Sequence, residues 1–149
     1  MKYEVINLNT VMNKDPKLGG LSFFEGKHDI PFSIKRMYCI YKAEEGKHRG
    51  FRAHKTSTQL VFCPYGCIEV QLNDGKNTET IVLDVPSKGL IIYPQIWREL
   101  TWRKNDSVLC VAVSDYYDPN ENTQDYNEFL TYIGAEESQD CEELAIRTI

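Results

Sequence analysis

Apolar side chains recur at every second position in short runs through most of the chain, as in Ile68-Glu69-Val70-Gln71-Leu72, and glycine, proline, asparagine or aspartate bounds the runs. A period of two marks half-buried strands. The pattern predicts strands over Tyr3–Asn7, Met37–Ala43, Thr58–Cys63, Cys67–Leu72, Thr78–Leu83, Gly89–Tyr93, Ile96–Trp102 and Ser107–Ser114, with weaker ones near Gly20–Glu25 and Gly50–Lys55. Strands at a spacing of about eight to twelve residues indicate a sandwich or barrel, not βαβ units. Asn73-Asp74-Gly75 reads as a hairpin turn because Asp-Gly supplies positive φ readily. Pro64-Tyr65-Gly66 reads as a second tight turn.

After Asp115 the period changes. Tyr126, Phe129, Leu130 and Ile133 fall on one face of a short amphipathic helix, with Asn122 or Thr123 as its N-cap and Gly134 as its stop. Residues 135–149 form an acidic tail carrying Glu136, Glu137, Asp140, Glu142 and Glu143. Many short strands and one terminal helix over residues 1–134 predict an all-β domain, a double-stranded β-helix or jelly roll.

Composition narrows the function. The 149 residues suit one domain, and apolar runs are too short to cross a bilayer, so no membrane partner is expected. The net charge is −5, which argues against a nucleic-acid partner and requires any anion to be held by local placement of charge. Five cysteines, mostly in apolar runs, read as buried thiols of a reducing compartment, and the expected location is the cytoplasm. Cys63 and Cys67 lack a second ligand pair at zinc spacing, so no metal is expected.

The segment Arg49-Gly50-Phe51-Arg52-Ala53-His54-Lys55 concentrates the chemistry. On a regular strand Gly50, Arg52 and His54 share one face and Phe51, Ala53 and Lys55 the other. Two placements fit: a polar face turned to water on an edge strand, or two polar groups facing a ligand inside a barrel.

Gly20-Leu21, Glu25, Pro31-Phe32-Ser33-Ile34-Lys35-Arg36, Arg49-Gly50-Phe51, Ala53-His54-Lys55, Gln59, Asp74-Gly75, Gly89-Leu90, Pro94, Trp97, Ser114-Asp115-Tyr116-Tyr117-Asp118 and Tyr126 occur in order across about residues 18 to 133. Together they resemble the bacterial sugar-nucleotide 3,4-ketoisomerases, small WxcM-like cupins that act on dTDP-4-keto-6-deoxyglucose. The resemblance implies transfer of a carbonyl from C4 to C3 by proton transfer, without a cofactor. Its partner is a nucleotide-activated sugar, a dTDP-hexose, and its assembly a homodimer with exchanged strands. It further implies that Arg36, Arg49, Lys55, Gln59 and Arg98 bind substrate, while Tyr38, two residues after Arg36, is a candidate donor to a sugar oxygen.

One departure stands out. The family's RGxHAHK-type motif carries two histidines, and the first resembles the base; this chain has Arg52 there and keeps His54. A guanidinium is a very poor proton acceptor. Either His54 shuttles the proton while Arg52 stabilises the enediolate, or the protein binds a sugar nucleotide without isomerising it or handles a more anionic sugar. Trp97 and Trp102 are read as core fillers or interface anchors, Trp97 bordering the pocket beside Arg98, and Tyr116 with Tyr117 as closing the barrel and orienting the helix.

Overall fold

The structure, a computed structural model, describes residues 1–134; the acidic tail 135–149, Cys141 included, lies outside the described residues. The strands are β1 (Tyr3–Asn7), β2 (Asn9–Met12), β3 (Gly20–Phe23), β4 (Arg36–Ile40), β5 (His48–His54), β6 (Gln59–Tyr65), β7 (Ile68–Asn73), β8 (Thr78–Leu83), β9 (Lys88–Ile92), β10 (Trp97–Trp102), β11 (Val108–Val113) and β12 (Asn122–Thr123). A helix, α1, covers residues 126–134.

Two five-stranded antiparallel sheets, ordered β1-β9-β6-β11-β4 and β12-β5-β10-β7-β8, face each other. Alternation sets their inner faces: Ile68, Val70 and Leu72 of β7 point inward to meet Leu90, Ile92, Leu109 and Val111. Trp102 is fully buried there, and its indole N–H donates to the Ser107 carbonyl at 2.8 Å. The outer face of the first sheet is also covered, by Leu8, Ile30 and Phe32 against Leu60, Ile91 and Ala112. Helix α1 covers the second sheet, seating Phe129 against Ala53 and Trp97. The all-β jelly roll predicted from the pattern is therefore present.

Several boundaries differ from the sequence expectation. Strand β4 stops at Ile40, because Lys42 adopts φ 61° and cannot continue an extended chain. Pro64 and Tyr65 still belong to β6; the turn sits at Gly66, where φ is 97° and a Cβ would lie 2.0 Å from Ser107 Oγ. Strand β2 carries no alternation signal because Asn9-Thr10-Val11-Met12 has no buried face; among the described residues it pairs with β3 alone. The helix cap is Asp125, whose carboxylate accepts from the Glu128 N–H at 3.0 Å. Asn122 and Thr123 instead pair with His54 and Ala53 as β12, since a free edge on β5 outcompetes local capping preference. Residue 134 is helical and is the last described residue, so the stop expected at Gly134 falls at the edge of the described residues.

Candidate functional site

The site begins with an irregularity in β5. Arg52 lies opposite Arg98 of β10 and Gly50 opposite Glu99, so Phe51 is an extra residue bulged out of the ladder. Gly50 and Phe51 take φ of 91° and 50°. A side chain at 50 would approach the Arg98 carbonyl to 3.0 Å, so glycine is required by both conformation and space.

The bulge resets the alternation. Opposed residues share a sheet face, so Arg52 goes with Arg98 and Arg49 with Leu100, inward, whereas Gly50 goes with Glu99 and His48 with Thr101, outward. His48 Nδ1 indeed lies 2.9 Å from Thr101 Oγ1. The expected grouping of Gly50 with Arg52 and His54 is thus corrected: Arg49 takes that place, and glycine contributes only backbone to the wall.

The inward residues line a cavity of about 320 Å³. Arg36 and Tyr38 enter from β4, Arg49, Arg52 and His54 from β5, and Arg98 from β10. Tyr117 joins the wall from the connection after β11 and Asn122 from β12. Both tyrosines are largely exposed, and only Tyr117 borders the cavity. Trp97 turns away from the cavity and packs edge-on against Tyr126, with centroids 5.3 Å apart. Lys55 is not brought to the cavity: its ammonium lies 5.7 Å from the Tyr132 ring on the helix side.

Four arginines thus converge in a protein of net negative charge. Among the described residues none of them has a carboxylate within 4.0 Å. The Arg36 guanidinium sits between the Tyr38 and Tyr117 rings, at 5.5 and 5.3 Å. The Nε atoms of Arg36 and Arg98 are buried without a hydrogen-bond partner. Burial pulls the Arg98 guanidinium down to about 10, so it still carries its proton at neutral pH. A pocket of unmatched positive charge fits an anion.

His54 is 4% exposed and its protonation follows from its neighbours. Arg98 Nη1 donates to Gln59 Oε1, and because a guanidinium cannot accept, the Gln59 amide must turn its NH₂ toward His54. That nitrogen lies 3.0 Å from His54 Nε2 and donates to it. Nδ1 then carries the ring proton and donates to Glu121 Oε2 at 2.6 Å. Glu121 Oε1 accepts from the backbone N–H groups of Thr56 (3.0 Å) and Ser57 (2.8 Å).

Burial lowers the His54 pKa and Arg98 and Arg52 push it further down, while Glu121 opposes them; the balance is a neutral imidazole near pH 7. Burial alone would raise the Glu121 carboxyl, but His54 and the two amides outweigh it and hold it at about 2. The cavity therefore holds a neutral imidazole beside cationic donors, the elements of proton transfer next to a developing oxyanion.

Glu121 was missed by sequence reading, as was Gln59's place against Nε2 of His54, where it is buried and is not among the lining residues. The sequence hint for Glu121 was slight: an acidic residue just after the Asp118-Pro119-Asn120 break, 67 positions from its partner.

The family model FdtA, described as WxcM-like, C-terminal, matches residues 1–134. The TDP-4-oxo-6-deoxy-alpha-D-glucose-3,4-oxoisomerase of Aneurinibacillus thermoaerophilus is 38% identical over 133 residues, 89% of this chain and 94% of that one. A 3,4-ketoisomerase from Helicobacter canadensis superposes with a TM-score of 0.85 at 36% identity, covering 90% of this chain and 98% of its own. QdtA, a sugar 3,4-ketoisomerase from Thermoanaerobacterium thermosaccharolyticum solved in complex with TDP, gives 0.84 at 33% identity, covering 90% and 96%.

Proposed function

The chain belongs to the FdtA family, described as WxcM-like, C-terminal, and on that premise we propose that it is a dTDP-4-keto-6-deoxyhexose 3,4-ketoisomerase. The observation that carries this reading is a neutral, carboxylate-anchored His54 facing the same cavity as Arg52, Arg98 and Tyr38. In the proposed reaction Nε2 of His54 removes the C3 proton, and the C3–H electrons form an enediolate with the C4 carbonyl. The anion is held by Arg52 and Arg98, with Tyr38 donating to a sugar oxygen. Return of the proton at C4, with the hydroxyl proton passing from O3 to O4, leaves a 3-ketosugar. Arg36 and Arg49 supply charge for the diphosphate.

Incubation with dTDP-4-keto-6-deoxyglucose in deuterated water tests this: deuterium is expected at ring carbons together with a new 3-ketosugar by NMR. No exchange and no product overturns the isomerase reading. The unmatched arginines support a second reading, a cupin that binds a sugar nucleotide more anionic than this one without isomerising it; calorimetric binding of dTDP-sugars with no turnover would favour it.

Assembly as a homodimer with exchanged strands belongs to the same proposal. The β2–β3 hairpin stands outside both main sheets and exposes Val11, Met12, Leu21 and Phe23, a surface that a partner's matching segment would cover. Light scattering at micromolar concentration is expected to give twice the chain mass; a monomer mass rules the exchange out. A cytoplasmic location is likewise proposed, supported by the free thiols of Cys39, Cys63, Cys67 and Cys110.

A further inference from the structure

The hydrogen-bond chain Glu121–His54–Gln59–Arg98 has a consequence for the order of events at the site. A neutral imidazole has one lone pair on Nε2, in the ring plane, and here the Gln59 amide occupies it. Proton abstraction from a sugar carbon needs that same lone pair. Gln59 is 1% exposed and stays in place because Arg98 holds its carbonyl from the other side. Arg98, in turn, has a buried Nε with no partner and, among the described residues, no carboxylate within 4.0 Å, Glu121 acting on it only from farther off, so its present hydrogen bonds do not exhaust its donors. A ligand oxygen bearing negative charge competes with the neutral amide carbonyl for the guanidinium, because both partners of the new bond are then charged.

We propose that Gln59 and Glu121 are positioning residues for His54, with Glu121 fixing the ring through Nδ1–H and Gln59 masking Nε2 until a bound ligand draws Arg98 away from the amide. The inference rests on the isomerase reading for its functional meaning, although the masking itself is read without turnover. The device withholds the base before a ligand binds and couples its exposure to the arrival of charge. The charged groups that face His54 are Glu121 from the loop before β12, Arg98 from β10 and Arg52 from its own strand β5.

Nitrogen-15 NMR of the intact protein reads the masking directly. In the free protein Nδ1 of His54 is expected to resonate as a protonated nitrogen and Nε2 as a hydrogen-bonded imine. Adding dTDP-4-keto-6-deoxyglucose is expected to shift the Nε2 signal, and Gln59→Leu to shift it beforehand. A proton on Nε2 in the free wild type, or an Nε2 signal indifferent to Gln59→Leu, overturns the proposal.

Kinetics read the positioning. Glu121→Gln is expected to lower kcat for C3 exchange by roughly 10- to 100-fold, by analogy with the outer carboxylate partners that orient metal-bound histidines, with KM within a few-fold. The acid limb of its pH profile should move to lower pH, because the imidazolium loses its counter-charge while Arg98 and Arg52 remain; Glu121→Asp should recover part of the rate. Unchanged kcat and an unmoved limb count against the role of Glu121. Should the wild type show no exchange at all, the isomerase reading fails, and the NMR outcomes still decide the masking.

Discussion

Replacing His54 with asparagine is expected to slow C3 deuterium exchange on dTDP-4-keto-6-deoxyglucose by roughly 10²- to 10⁴-fold, the usual worth of a positioned acid–base group. Asparagine is close in size and polar, so the buried site keeps its shape, but its amide neither accepts nor returns a proton at working pH. Arg52 and Arg98 cannot stand in, since even the Arg98 guanidinium, lowered to about 10 by burial, remains protonated. The loss should fall on kcat, with calorimetric binding of dTDP unchanged within a few-fold, because the diphosphate is assigned to Arg36 and Arg49 on the cavity wall. The wild-type pH profile supplies a companion measurement. Burial holds His54 below the ordinary imidazole range, so the base form persists to lower pH than at an exposed histidine, and the acid limb should lie correspondingly low. Turnover of the asparagine variant at the wild-type rate would remove His54 from the reaction.

The parts of this site that the sequence disclosed were local ones. Alternation sufficed to predict β7 and its turn at Asp74-Gly75, because each inward residue of that strand meets a single continuous core. It failed at β5, where the bulge at Phe51 exchanges Gly50 for Arg49 on the inner face. A bulge depends on the opposing strand, here Arg98-Glu99, and nothing in Arg49-Gly50-Phe51-Arg52 alone specifies which residue is extruded. The same limit explains the helix start. Asn122-Thr123 is sound capping chemistry, but pairing with His54-Ala53 satisfies their backbone groups better once β5 is in place. Glu121 is the most consequential omission, since its role exists only after β12 closes against β5 and brings residues 54 and 121 within hydrogen-bond reach.

Arg52 offers the second large effect, and the form of the loss identifies its role. It faces Arg98 across the strand pair, and its Nε donates to the Gly50 carbonyl at 3.2 Å, which aims the remaining guanidinium donors into the cavity. An interaction that strengthens only as the enediolate forms lowers the barrier without tightening substrate binding, whereas one made to a resting anion tightens binding and leaves the barrier unchanged. If Arg52 stabilises the enediolate, Arg52→Ala should reduce kcat by roughly 10²- to 10³-fold, the cost of losing one oxyanion donor. KM for dTDP-4-keto-6-deoxyglucose should then stay within a few-fold. Misfolding cannot mimic that result, because removing one of two opposed like charges relieves repulsion and should leave the melting temperature unchanged or raised. Arg52→Lys should fall between, keeping the charge while losing the planar fork. A raised KM with kcat intact would instead mark Arg52 as a ground-state anion site, and would shift the assignment toward a more anionic sugar nucleotide.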